Sequence, residues 1–156
     1  MAVFANSLLP PANHKMMFMM HSRIEQIYVE YFKDTFDNLG LKRHAEDKWS
    51  IEFKNESFRV QLLDDRGLIE LGIGPNFDNA SFINVELCNA LVTFLKFPDE
   101  LNASERRKIL RTRLDFKAQA LFIVDNFERL NEMLSTSNYL ITFDQINTLR
   151  KIDSPF

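Results

Sequence analysis

From Ser22 onward the apolar positions fall into two regimes. Ile24, Ile27, Tyr28, Tyr31, Phe32, Thr35, Phe36 and Leu39 recur at helical spacing, which predicts an amphipathic helix. Ser22 and Glu25 stand as the two ends of a capping box, and Gly40 occupies the left-handed position that commonly ends a helix. The period then changes to two. Trp49, Ile51 and Phe53 alternate with Ser50, Glu52 and Lys54. Phe58, Val60 and Leu62 alternate with Arg59, Gln61 and Leu63, and Ile69, Leu71 and Ile73 alternate with Leu68, Glu70 and Gly72. This is the pattern of an antiparallel sheet covered on one face. Leu41 to His44 reads as a further short strand.

Alternation also constrains register, because a slip of one residue turns every side chain to the wrong face. Placing Val60 opposite Leu71 and Leu62 opposite Ile69 brings Leu63 against Leu68. Asp64-Asp65-Arg66-Gly67 is then a four-residue loop with Gly67 supplying a positive φ. Placing Phe53 opposite Phe58 makes Asn55-Glu56 a two-residue turn, with Glu52 across from Arg59 and Ser50 across from Gln61. Pro75 ends the third strand, since it has no amide to give a ladder.

Helical spacing returns from Phe82 to about Phe97, after a polar loop, "NFDNAS", suited to capping; Pro98 stops that helix. Asn102 with Glu105 reads as the next N-cap, opening a long helical stretch to about Leu134 with a break near Asp115. Thr142 with Gln145 starts a short last helix through Ile146, Leu149 and Ile152. The fold class expected is therefore α+β. It is an antiparallel three- to four-stranded meander with an N-terminal helix and a helical C-terminal half packed on one face. Residues 22–156 read as one domain, and residues 1–21 as a disordered extension.

Composition changes this picture little. Fifteen Phe and only four Gly in 156 residues suit packed helices and a core large enough to need no metal or disulfide. A net charge of -3 sets up no global field for nucleic acid or an anionic membrane. The single cysteine, Cys88, excludes an intramolecular disulfide and fits a cytoplasmic location. The apolar run before Pro10-Pro11 lacks a basic flank and is too short to span a membrane.

Candidate chemistry is sparse. Gly72-Ile73-Gly74 follows a strand, but Phe77 stands where a dinucleotide fingerprint needs its third glycine, and no Walker lysine follows. Asp64, Asp65, Glu70 and Asp78 would have to converge to hold a hard cation, and the strand pattern keeps them apart. His14, His21 and His44 are scattered, and Cys88 falls mid-helix among Leu87, Ala90 and Leu91, so no nucleophile–base pair is apparent. Neither a catalytic set, a metal site nor a cofactor is expected. Two surfaces remain. One is the hairpin tip and outer sheet row: Leu63, Asp64, Asp65, Arg66, Leu68 and Glu70. The other is the basic helix 104–117, whose Arg106, Arg107, Arg111 and Arg113 could follow a phosphate backbone. Glu100, Glu105 and Asp115 dilute that field, so nucleic acid is the disfavoured partner.

The helix followed by "WSIEFKNESFRVQLLDDRGLIELGIGP" and a second helix resembles small bacterial α+β proteins. In these an Asp-Arg-Gly turn leads into an Ile-x-Ile-Gly-Pro-like strand end. Many are immunity proteins of polymorphic-toxin or contact-dependent inhibition systems. The likeness covers about residues 22–97. It implies a cytoplasmic protein that neutralises a cognate toxin by stoichiometric binding, without catalysis. It carries over no site residues, because such proteins meet their toxins through divergent surfaces. A non-enzymatic protein-binding module is thus the leading expectation. A phosphate or nucleic-acid binder and an enzyme with an unrecognised site are the alternatives.

Overall fold

The computed structural model describes residues 23–96 and 101–153. The extension, Ser22 of the capping box, His14, His21 and Pro98 lie outside the described residues. Helix α1 (residues 23–38) buries Ile24, Tyr28, Phe32 and Phe36, one residue in four. A four-residue repeat outruns the 3.6-residue α-helical turn. The helix widens to a π turn over Tyr28–Phe32, with the Lys33 amide bonding Tyr28 O, which brings the row back over the sheet. There Tyr28 stacks on Phe53 at 4.7 Å between centroids, and Phe36 meets the same ring edge-on at 4.9 Å. The helix ends where expected. Gly40 has φ +70°, its N–H reaches Asp37 O, and the Leu41 N–H reaches Phe36 O at 2.9 Å, the two bonds of a Schellman motif.

Five antiparallel strands follow in the spatial order of the sequence: β1 (Lys42–Glu46), β2 (Ser50–Lys54), β3 (Phe58–Asp65), β4 (Leu68–Pro75) and β5 (Ile83–Asn84). The class matches the expectation, with one strand more than the meander foreseen. Both hairpin registers differ from the expectation by two residues. Val60 faces Ile73 and Leu62 faces Leu71; in the other hairpin Phe53 faces Val60, and Glu52 faces Gln61. An even shift keeps every residue on its own face, so alternation could not detect it. The four-residue loop is accordingly a two-residue turn at Arg66-Gly67, with Asp65 opposite Leu68 and Leu63 opposite Glu70. The Asn55-Glu56 turn is longer than foreseen, and Asn55 Oδ1 accepts the amides of Ser57 and Phe58. Trp49 is exposed rather than part of the core row, because Asp47 Oδ1 takes the Trp49 and Ser50 amides and starts the strand one residue later.

The inner face carries Ile51, Phe53, Phe58, Val60, Leu62, Ile69, Leu71 and Ile73, all buried beneath the helices. The outer face is not uniformly polar surface. Arg59 is only 3% exposed there. Its Nε donates to Pro75 O at 2.8 Å, its Nη2 to Ala80 O at 2.7 Å, and Nη1 lies 3.5 Å from Glu52 Oε2. The guanidinium also stands over the Phe82 ring, 4.5 Å from its centroid. Segment 76–82 is thus folded across one end of the outer face. A Cβ on Gly72 would lie 2.9 Å from Phe82 Cβ, and one on Gly74 would lie 2.8 Å from Ser81 O. These glycines make room for that segment.

Phe82 precedes β5 rather than opening a helix, and Asn84, not the 76–81 loop, provides the cap, its Oδ1 accepting the Glu86 amide. Helix α2 (Val85–Lys96) follows. The long helical stretch divides into α3 (Ala103–Leu110), α4 (Phe116–Asp125) and α5 (Phe127–Met133). Asn102 Oδ1 caps α3 through the Glu105 amide, as read from the sequence, and Asp115 Oδ1 caps α4 through the Ala118 amide. The last helix, α6 (Tyr139–Asp153), begins before Thr142. That threonine is a buried strut instead, with Oγ1 donating to Met133 O at 2.7 Å. Among the described residues no helix is long and apolar enough to cross a membrane.

Candidate functional site

The β3–β4 turn has φ 57° at Arg66 and 92° at Gly67, the signature of a type I′ turn. Asp64 Oδ1 accepts the Gly67 amide at 2.8 Å and braces it. Arg66 is 96% exposed and stands 4.0 Å from Asp65 Oδ1, a solvated contact of little energetic weight. Leu68, just past the turn, is 58% exposed.

The turn type settles which way the backbone of β4 points. In a two-residue hairpin the flanking pair, Asp65 and Leu68, bond to each other. Alternate residues from Ile69 onward therefore direct N–H and C=O away from β3. Ile69, Leu71 and Ile73 are those residues. Ile73 faces Ile83 of β5, but β5 pairs only with Gly72 and Ile73. The Gly72–Asn84 pairing in turn sets the Val85 amide against Leu71 O, so the start of α2 takes over where β5 ends, and Leu71 is 1% exposed. Only the Leu68–Ile69 end of β4, next to the turn, extends past that cover.

A groove of about 490 Å³ runs along this edge, lined by Leu68 to Leu71 on one wall and by Arg113 to Phe116 and Gln119 on the other. Asn84, Val85 and Glu86 close its end, and a neighbouring hollow of about 380 Å³ continues past Glu70 to Leu110 and Arg111. The far wall is fixed by Glu86, whose carboxylate accepts the Leu114 amide at 2.7 Å and meets Arg113 Nη1 at 3.2 Å. Gln119 is 7% exposed. Its Nε2 donates to Leu114 O at 2.8 Å, which turns Oε1 away; that oxygen has no partner. Glu70 forms no ion pair among the described residues.

The two surfaces foreseen from the sequence therefore meet in part. Leu68 and Glu70 share this concavity with Arg111 and Arg113. Asp64, Asp65 and Arg66 stand at the turn beside it, and Leu63 lies across from Glu70 on the outer face. Arg106 and Arg107 sit along α3, outside the groove, and Arg113 is tied to Glu86, so the four arginines do not form one stripe. Asn84, Glu86, Phe116 and Gln119 were missed in the sequence. Only the cap positions of Asn84 and Asp115 would have hinted at where the chain turns.

The remaining candidates lie elsewhere. Asp78 pairs with His44 at 3.2 Å across the sheet from Asp64, Asp65 and Glu70, and that hydrogen bond holds its carboxyl below the usual range. Among the described residues no three His, Cys, Asp or Glu side chains gather as a ligand set. Cys88 is buried in α2, and burial pushes its thiol up to about 12, where it is a poor nucleophile. A wider hollow of about 750 Å³ lies by the Asn55 turn between Lys42, Lys54, Asn76 and Phe127, sharing no lining residue with the groove. Comparison of the chain with protein-family models, with curated proteins and with solved structures gives no match.

Proposed function

We propose that the chain is a non-enzymatic protein-binding module of the immunity type, which neutralises a cognate toxin domain by direct stoichiometric contact. The observation that carries the binding reading is the groove of about 490 Å³ with Leu68 58% exposed at its mouth. Exposed apolar area beside a concavity is the kind of surface that marks a contact site. Here it adjoins the hairpin tip, where Asp64, Asp65, Arg66 and Glu70 offer charge for steering a partner and Leu68 offers apolar area for holding it. The assignment to immunity proteins comes from the sequence resemblance over residues 22–97.

The test is growth rescue. The chain is co-expressed with the C-terminal domain of any secreted protein encoded beside its gene, and separately with unrelated toxin domains. Rescue by the neighbouring pair alone, with a one-to-one complex in light scattering, supports the proposal. Growth arrest despite folded, abundant protein, with no complex, overturns it. The triple variant Asp65→Ala, Arg66→Ala, Glu70→Ala then reads the surface: binding weakens while the melting temperature stays nearly unchanged, because these side chains bury little.

A further inference from the structure

We infer that Trp49 is the anchor of the partner contact, entering an apolar pocket on the protein partner that carries a carboxylate at its rim. This rests on the protein-binding reading above and names the partner's chemistry. The backbone supplies the first argument. Asp47 Oδ1 accepts the Trp49 and Ser50 amides at 2.7 and 2.9 Å, and the Asp47 amide donates to Ser50 O at 3.0 Å. The Asp64 amide donates to Trp49 O at 2.8 Å, while Asp64 Oδ1 braces the Gly67 amide. The β1–β2 and β3–β4 turns are thereby fastened to each other at one end of the sheet, and a partner has little ordering left to impose on them. At position 49 all of these bonds are made by the main chain, so the turn itself does not need a tryptophan.

The side chain supplies the second argument. Trp49 is the chain's only tryptophan and is 54% exposed, whereas Phe53 and Phe58 of the adjoining strands are wholly buried. Its ring is met by the Lys48 ammonium, 5.1 Å from the centroid, and by no other aromatic ring among the described residues. Burying an exposed indole removes a large apolar area from water, and tryptophan is enriched among the few side chains that carry most of the energy of a protein contact. Leu68, just past the second turn, adds exposed apolar area at the same end of the sheet. Residues 47–49 and 64–67 line none of the hollows described above, so this end projects and its complement is concave. The polar groups beside the ring are donors. The indole N–H has no hydrogen bond and Lys48 no ion pair among the described residues, and a carboxylate at the rim of the pocket answers both.

The experiment uses the full chain with 5-fluorotryptophan at its one tryptophan, which gives a single ¹⁹F resonance. In the free chain that resonance should show the solvent isotope shift of an exposed indole; its absence, which would mean the ring is already covered, overturns the proposal. The unlabelled C-terminal domain of the secreted protein encoded beside the gene is then added. The resonance should move and lose its isotope shift. Trp49→Ala should weaken the complex by about thirtyfold or more and Lys48→Glu by about fivefold, both at unchanged melting temperature. Leu140→Ala, at an exposed leucine on α6, should leave the affinity unchanged. A melting temperature lowered by both Trp49→Ala and Trp49→Phe would make the ring a structural one and also sinks the anchor. Failure here is separable from failure of the functional reading. A complex that rescues growth while the ¹⁹F resonance stays solvent-exposed, or while Trp49→Ala binds as tightly as the parent, sinks only the anchor. Absence of any complex sinks the immunity reading and the anchor with it.

Discussion

The two sides of the sheet are protected in different ways. Strand β1 is exposed along its whole length, reads Lys-Arg-His-Ala-Glu, and breaks register between Arg43 and Ala45. Charge and a bulge are the ordinary defences against edge-to-edge pairing. Arg43 is further tied by both terminal nitrogens to Glu25 of α1 at 2.6 Å. Strand β4 at the other side has no bulge; β5 covers Gly72 and Ile73, the start of α2 covers Leu71, and Leu68 alone of its apolar side chains is exposed. One edge is thus defended by charge and a bulge, and the other is covered by the next segment of the chain, with a groove left beside it.

The comparison can be broken most forcefully at Arg59. Arg59→Ala strips donors from Pro75 O and Ala80 O and leaves Glu52 without its cation. Urea unfolding should show a loss of about 3 kcal/mol. A loss near zero would mean that segment 76–82 is not held by this residue. Next, Gly72→Ala or Gly74→Ala drives a methyl into Phe82 or Ser81 and should cost about 2 kcal/mol, the usual scale of overpacking. Because the displaced segment leads into β5, the Ile73 amide should also lose exchange protection.

At the defended edge, Lys42→Val with His44→Val should change stability by no more than about 0.5 kcal/mol. Light scattering on heating should nonetheless rise relative to the parent, since a lysine and a polar ring have been exchanged for apolar side chains on the edge. Unchanged scattering would show that the bulge alone suffices. Arg113→Ala is milder still. Arg113 is 86% exposed, and Glu86 keeps its bond to the Leu114 amide, so the cost should stay below about 0.5 kcal/mol.

The smallest effect is a pH dependence at β1. His44 holds the Asp78 carboxyl below its ordinary value. The contact therefore stabilises the fold above the ordinary carboxylate value and loses that contribution as pH falls through the lowered one. The melting temperature of the parent should fall slightly more on acidification than that of Asp78→Asn. Identical pH profiles would remove His44–Asp78 from the account of this edge.

Much of the fold was legible because local chemistry repeats it. Gly40 ends α1, Asn102 caps α3, and the alternation assigns Phe58 to Leu63 and Leu68 to Ile73 to their observed faces. Register was misread because a two-residue slip leaves those faces unchanged, and turn length is then the only local clue. Phe82 was misplaced because its apolar spacing suits a helix, whereas its ring is held over Gly72 and Gly74 by Arg59. Of the candidate site, Leu68, Glu70, Arg111 and Arg113 were visible as outward charge or exposed apolar area. Gln119 and Phe116 were not, since nothing in a helical repeat marks which residue will stand opposite a strand some fifty positions earlier.

The sequence by itself determined the α+β class, the inward rows of the strands and the helix boundaries that caps encode, because each depends on neighbours within a few residues. Only the tertiary structure decided that Arg59 is buried, that β5 stops after two residues, and that Leu114 is pinned by Glu86 across from Leu71. Those outcomes depend on contacts between segments distant in the chain. Strand β5 is short because Asn84 caps α2, which turns the chain out of the sheet and leaves a helix rather than a strand beside the rest of β4.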